Sequence, residues 1–264
     1  MAFDLATYQR LTGRLDLEGI DFDSFRDQPL APDHLRVLRY MHDVEQHTTC
    51  YLRNLLNTKA HHDPDITAFL MMWGYEEHWH GEALGRVLEA HGEPGGAPRV
   101  TAMRERLGGW KLTASPLGWM ALSSATKHFL AVHMTFGAIN EWTTQAGYAR
   151  LGAQAGHPVL SELLRRIMKQ EGRHIDVYRS TAEARLAASR GAQRTTRFLV
   201  RKLWEPVGAS VMPLPETRHL IGTLFADDEG RAVLARLDRR VDALPGLQGL
   251  GLMATALDTY ARGG

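Results

Sequence analysis

The chain has 264 residues, 44% of them hydrophobic, and a formal net charge of +1: enough apolar material for a substantial core, and no charge excess that would draw it to nucleic acid. A single cysteine, Cys50, excludes an intrachain disulfide and any thiolate-ligated zinc or iron–sulfur cluster, so a bound metal must use histidines and carboxylates. Runs such as AFLMMW and HFLAVHM fall far short of the ~20 apolar residues of a bilayer span, and MAFDLATYQR lacks the basic-then-apolar pattern of a secretory leader, so a cytoplasmic protein with no membrane span is expected.

Helical signals follow one another along the chain. Pro32 suits the first position of a helix running to about Asn57, with Leu35, Leu38, Met41, Leu52 and Leu55 recurring at helical intervals. Asp63 and Pro64 open a second helix, ended by Gly92 and the loop GEPGGAP. The stretch from Gly92 to Ser115 reads as an irregular loop. Ser115 and Pro116 open a third helical region with a break before His128, running to about Gly156, and His157 and Pro158 start a fourth that ends near Gly191. Shorter helices are expected in TTRFLVRKLWEP, PETRHLIGTLF and DEGRAVLARLDRRVDAL. No period-2 strand, internal repeat or low-complexity segment is apparent. The expected architecture is all-α: one domain over 1–264, with a core bundle at about 32–190 and accessory helices over 191–264.

Each of the four long helices carries a carboxylate where its apolar face should continue. The faces are Leu38, Met41, Glu45, Thr48, Leu52, Leu55; then Phe69, Trp73, Glu77, His80, Leu84, Val87; then Gly137, Glu141, Thr144, Tyr148, Leu151; and finally Leu160, Leu164, Ile167, Glu171, His174, Tyr178. Four Glu and two His therefore face inward. Burying them uncompensated would cost several kcal/mol for each group, whereas two divalent cations would satisfy all six and keep open positions for a reactant such as O₂. One Glu from each of two helices plus Glu-x-x-His from each of the other two is the di-iron or di-manganese arrangement of ferritin-like four-helix bundles.

The spacing supports the same arrangement. Glu45 and Glu77 lie 32 residues apart and Glu141 and Glu171 lie 30 apart; half of either interval, roughly 22 Å of helix, carries the chain to a turn and back to the same level. Glu77 to Glu141 is 64 residues, as one long crossover between two hairpins requires. A third Glu-x-x-His, Glu216 and His219, directly follows Pro215 and has no matching carboxylates; there the acid sits in a first helical turn, where it favours the dipole.

WGYEEHWHGEAL resembles the second-helix signature of the soluble acyl-carrier-protein desaturases, with Trp four residues before a ligand Glu and then E-E-x-x-H-G. QEGRHIDVY resembles their fourth-helix E-x-R-H followed by Tyr, NEWTTQAGYARLG keeps Glu with Thr three residues on, and VEQHTTCYLRNLL is similar to the first-helix ligand segment. The likeness covers about residues 35–185, with a weaker one in RLDRRVDALPGLQGL. It implies a ferritin-like four-helix bundle with additional C-terminal helices, binding two iron ions through Glu45, Glu77, His80, Glu141, Glu171 and His174, with manganese in place of one iron as a variant. Glu77 and Glu171 would bridge the metals, Glu45 and Glu141 would be terminal, and Thr144 would serve the bound oxygen, unless its hydroxyl bonds back to a helix carbonyl. The implied activity is O₂-dependent desaturation or hydroxylation of an acyl chain carried as a thioester on acyl carrier protein or another carrier, with a ferredoxin-type electron donor and a homodimeric enzyme. The family's Asp before the fourth-helix Glu is replaced here by Gln170, which holds no charge to tune a ligand histidine.

Rival readings keep the centre but oxidise a small metabolite by N-oxygenation or hydroxylation, assign iron handling as in ferritin, or leave the bundle without metal. Glu76 is expected to be a surface charge or a support to a ligand, and His47, His128 and His133 packed or surface residues. His78 should point away from the metals. Arg165, Arg166, Lys169, Arg194, Arg197, Arg201 and Lys202 form basic faces that are solvated or meet an acidic carrier. Gly246, Gly249 and Gly251 make a turn with no preceding strand, which excludes a nucleotide-binding loop.

Overall fold

The computed structural model describes the backbone of residues 3–261 and the side chains of all of these except 109–114. The all-α class is observed, with no strand among the described residues. In chain order the helices are α1 (Leu5–Leu11), α2 (Ser24–Asp27), α3 (Pro32–Leu56), α4 (Pro64–Ala90), α5 (Gly96–Leu107), α6 (Gly109–Ala125), α7 (Phe129–Ala155), α8 (Pro158–Ala187), α9 (Arg190–Leu203), α10 (Leu214–Phe225), α11 (Asp228–Asp242) and α12 (Leu252–Ala261). No helix of the described residues is long and apolar enough to cross a membrane.

The ends of the long helices have local causes. Pro32 opens α3 and Asn57 closes it. Asp63 caps α4 by accepting a hydrogen bond from the Ile66 amide, with Pro64 in the first turn, where a missing N–H costs nothing. At α8 the imidazole of His157 takes the capping role, its Nδ1 accepting from the Leu160 amide at 3.4 Å.

Two expectations need correction. The stretch from Gly92 to Ser115 is mostly helical, because its Gly and Pro residues are confined to the GEPGGAP end; VTAMRERL beyond it is built of helix formers, with Val100 and Met103 buried three residues apart. Pro116 lies inside α6 instead of at its start. The boundary is set by Gly108, whose φ of 74° is open to glycine without strain. The helices α1, α2 and α12, too short for a clear periodic signal, were not anticipated.

The chain divides into two compact units. The first comprises Asp4–Phe129 and Ala155–Ile167 and is built on α3 and α4, which pack antiparallel. Their pairing is readable at glycines: Leu52 fills the space over Gly74, Gln46 that over Gly81 and His42 that over Gly85, one index falling as the other rises. The shared interior includes Val37, Leu38, Leu55, Phe69, Leu84 and Val87.

The second unit is built on Leu130–Gln154 and the chain from Met168 onward. Here α7 and the later part of α8 run antiparallel: His133 meets the ring of Tyr178 edge-on at 5.9 Å, and Gln145 Nε2 donates to the Met168 carbonyl. Gly137 is the closest approach, since a Cβ there would lie 2.2 Å from Cδ1 of Tyr178. Helices α10, α11 and α12 pack on one another, and Arg150 ties α7 to them. This guanidinium, 3% exposed, donates to the Leu224 carbonyl and is paired with Asp227 and Glu229. Trp204, just after α9, donates its indole N–H to Asn140 Oδ1 at 3.1 Å.

Gly137→Ala should destabilise the protein by about 1–3 kcal/mol through overpacking against Tyr178, whereas Gly222→Ala, in an open helical position, should stabilise it by about 0.5–1 kcal/mol; urea denaturation of both variants checks the contrast. Burial holds the His133 imidazole down to about 4 from an ordinary 6.5. As the pH falls from 6.5 towards about 4, the unfolded chain takes up a proton that the folded chain refuses, so stability drops through that window and levels off below it. His133→Phe should flatten this part of the stability profile in denaturation series across the same pH range.

Candidate metal centre

All six candidate ligands are buried, with Glu45, Glu77 and Glu141 between 4% and 6% exposed and His80, Glu171 and His174 at 0%. Each unit contributes a triad of two glutamates and one histidine. In the first unit, Glu45 projects from α3 and Glu77 and His80 from α4, and one ligand atom from each lies within 4.8 Å of the other two. The second unit repeats this with Glu141 on α7 and Glu171 and His174 on α8, again within 4.8 Å. Both triads can hold a metal ion.

The i, i+3 spacing makes the pairing on each helix. His80 Nδ1 stands 3.7 Å from Glu77 Oε2, and His174 Nδ1 stands 3.0 Å from Glu171 Oε2 and 3.9 Å from Glu141 Oε2. Carboxylate oxygens and neutral imidazoles suit Fe²⁺, Mn²⁺ or Zn²⁺, and the lack of thiolate leaves no competing soft ligand. The donor set therefore fits a first-row divalent cation in each unit.

The surroundings brace these helices. Gln46, next to Glu45, fills the space over Gly81, next to His80, where a Cβ would lie 2.8 Å from its Nε2, and that amide donates to Glu82. Two residues before Glu45, the buried carboxylate of Asp43 accepts from Arg99 Nε and, at 2.9 Å, from Arg99 Nη2, and stands 3.0 Å from His42 Nδ1. Burial pushes the Asp43 carboxyl up, but the hydrogen bonds from His42 and Arg99 and their charge outweigh it and hold the group below the usual range. Sequence reasoning missed this brace because Arg99 lies on α5, in the stretch read as loop.

Other expected placements differ in detail. Glu76 is fully buried, not a surface charge: it accepts from the Tyr8 hydroxyl at 3.0 Å and from the Gly13 amide at 3.3 Å, anchoring the segment that contains α1. His78 is exposed. His47, His128 and His133 fall outside the metal-binding groups found among the described residues, as do Glu216 and His219; Glu216 sits in the first turn of α10. Thr144 is half-buried, and its hydroxyl makes no hydrogen bond to a described residue, while neighbouring Thr143 bonds back to the Asn140 carbonyl. The basic faces also separate. Arg165 and Arg166 are paired with Glu162, and Arg166 also donates to the carbonyls of Asp16 and Glu18.

Comparison with protein-family models and with curated protein sequences finds no match to this chain.

Proposed function

We propose that the two triads form one dinuclear centre and that the protein is an O₂-dependent non-haem di-iron oxidase, acting on an acyl chain delivered as a thioester by acyl carrier protein or a similar carrier. The observation that carries this reading is the repetition of one buried donor set, two glutamates and a histidine with Glu-x-x-His on a single helix, in both units. A lone structural metal would need one such set; a centre that handles two metals and O₂ needs two. On this reading Glu45, Glu77, His80, Glu141, Glu171 and His174 would hold the metals, with manganese at one position as an alternative metal content.

When bound, two irons would supply the electrons that activate O₂. The protein's part is to bind and orient. Four carboxylates offset the charge of two divalent cations, the imidazoles add neutral donors, and the buried setting keeps bulk water from the reacting atoms. Thr144, one helical turn after Glu141, would be the residue that holds a proton for the bound oxygen. For desaturation the balance is a saturated CH–CH unit, O₂, two electrons and two protons giving a C=C bond and two waters. The reductant is a one-electron carrier of the ferredoxin type.

Anaerobic loading with ferrous iron should give two irons per chain and, after exposure to air, a visible absorption. Glu171→Ala and His174→Ala should each lose at least one iron, while His219→Ala, in the third Glu-x-x-His, should lose none. One iron per chain in the unaltered protein, or none, overturns the dinuclear reading. Acyl-thioester product analysis separates desaturation from hydroxylation and from oxidation of a small metabolite. Thr144→Val should keep both irons and lose roughly tenfold or more of the turnover.

A further inference from the structure

Helices α9 and α12, the residues just after α9 and the turn before α12 line an open cleft of about 470 Å³ that the proposed chemistry does not use. Its size is that of a small-molecule site. The turn reaches back because Gly246, Gly249 and Gly251 all have positive φ, and Gly249 and Leu250 form part of the wall. Arg197 and Arg201 of α9 line the cleft on one side.

Neither guanidinium has a carboxylate partner among the described residues. Arg197 Nη1 donates to the carbonyls of Gln248 at 2.7 Å and Gly246 at 3.4 Å, which fixes the side chain and leaves Nε and Nη2 uncommitted. Arg201, one turn on, makes no hydrogen bond or ion pair to a described residue. The nearby N-terminus of α12 is already served, since the amides of Met253 and Ala254 donate to Asp238. Glu205 also lines the cavity, so two guanidiniums against one carboxylate leave it net positive, with Arg197 pre-organised for a planar two-point contact with an oxyanion.

The other walls are of a different character. Trp204, Pro206, Leu252 and Ala256 present apolar surface, and Tyr260 offers a phenol whose pKa burial and the neighbouring Glu205 push up, so it stays a hydrogen-bond donor. A simple inorganic anion would leave these walls wet.

We infer that this cavity is a second binding site, for a small organic anion whose carboxylate or phosphate is held by Arg197 and Arg201 and whose apolar body lies against Trp204 and α12. The site does not depend on metal. It is tied to the helix that carries Glu141 through the Trp204 indole, which donates to Asn140 on that helix.

The test is calorimetric titration of the full chain with phenyl phosphate and with phenylacetate, with benzyl alcohol as the neutral counterpart. At least one anion should bind saturably at one per chain, with a Kd of about 1 mM or tighter, and Arg201→Gln should weaken it roughly tenfold. Arg201 is the decisive position, because it is exposed and supports no other residue. Phosphate alone, carboxylate alone or both binding in this way supports the site and assigns its head group. Glu171→Ala should bind the anion as the unaltered chain does, so failure of the metal reading leaves this result intact. No saturation by about 10 mM, equal binding of benzyl alcohol, or an Arg201→Gln variant that binds unchanged would overturn the assignment.

Discussion

The structure depends on how it meets the cost of taking charge out of water. Six ionisable groups sit at 6% exposure or less on faces otherwise lined by leucine, valine and aromatic side chains. An isolated ion in such a setting costs several kcal/mol, against a net folding stability of about 5–15 kcal/mol for a typical domain. Left uncompensated, two triads of this kind would offset the whole of that net stability. A divalent cation in each would turn mutual repulsion between carboxylates into coordination, so metal affinity and fold stability become one quantity measured in two ways.

Other buried charges show what the protein does when no metal is intended. Asp43 meets the forked guanidinium of Arg99, Arg150 meets Asp227 and Glu229, and Glu76 meets a hydroxyl and a backbone amide. Each is answered by a group of complementary charge or hydrogen-bonding sense. Within each triad two carboxylates and an imidazole bring ligand atoms within 4.8 Å of one another, the donors a metal would take.

The all-α class and the burial of Glu45, Glu77, His80, Glu141, Glu171 and His174 were legible because each residue occupies a helical face whose other members are apolar, a pattern carried by local sequence. Arg99 was not legible: its helix follows a Gly and Pro cluster that masks the start of α5, and its partner is 56 residues away. The cavity beside α9 was hidden for a related reason. Arg197 and Arg201 were visible as a basic face, but only the glycine turn before α12 folds a wall opposite them, and chain reversal of that kind leaves no periodic trace. The burial of Glu76 was not legible either, since its partners Tyr8 and Gly13 lie in and just after α1, a helix too short to announce itself.

Arg150 gives the accessory helices a purpose. Its guanidinium is buried inside the second unit and is met by the end of α10, the α10–α11 turn and the start of α11, while Trp204 grips the residue beside Glu141. The last quarter of the polypeptide thus acts as a splint for the helix that presents Glu141. A fragment stopped near residue 190 would strand a cation in oil and unclamp that helix, so the ligand-bearing helices cannot be lifted out as a minimal module.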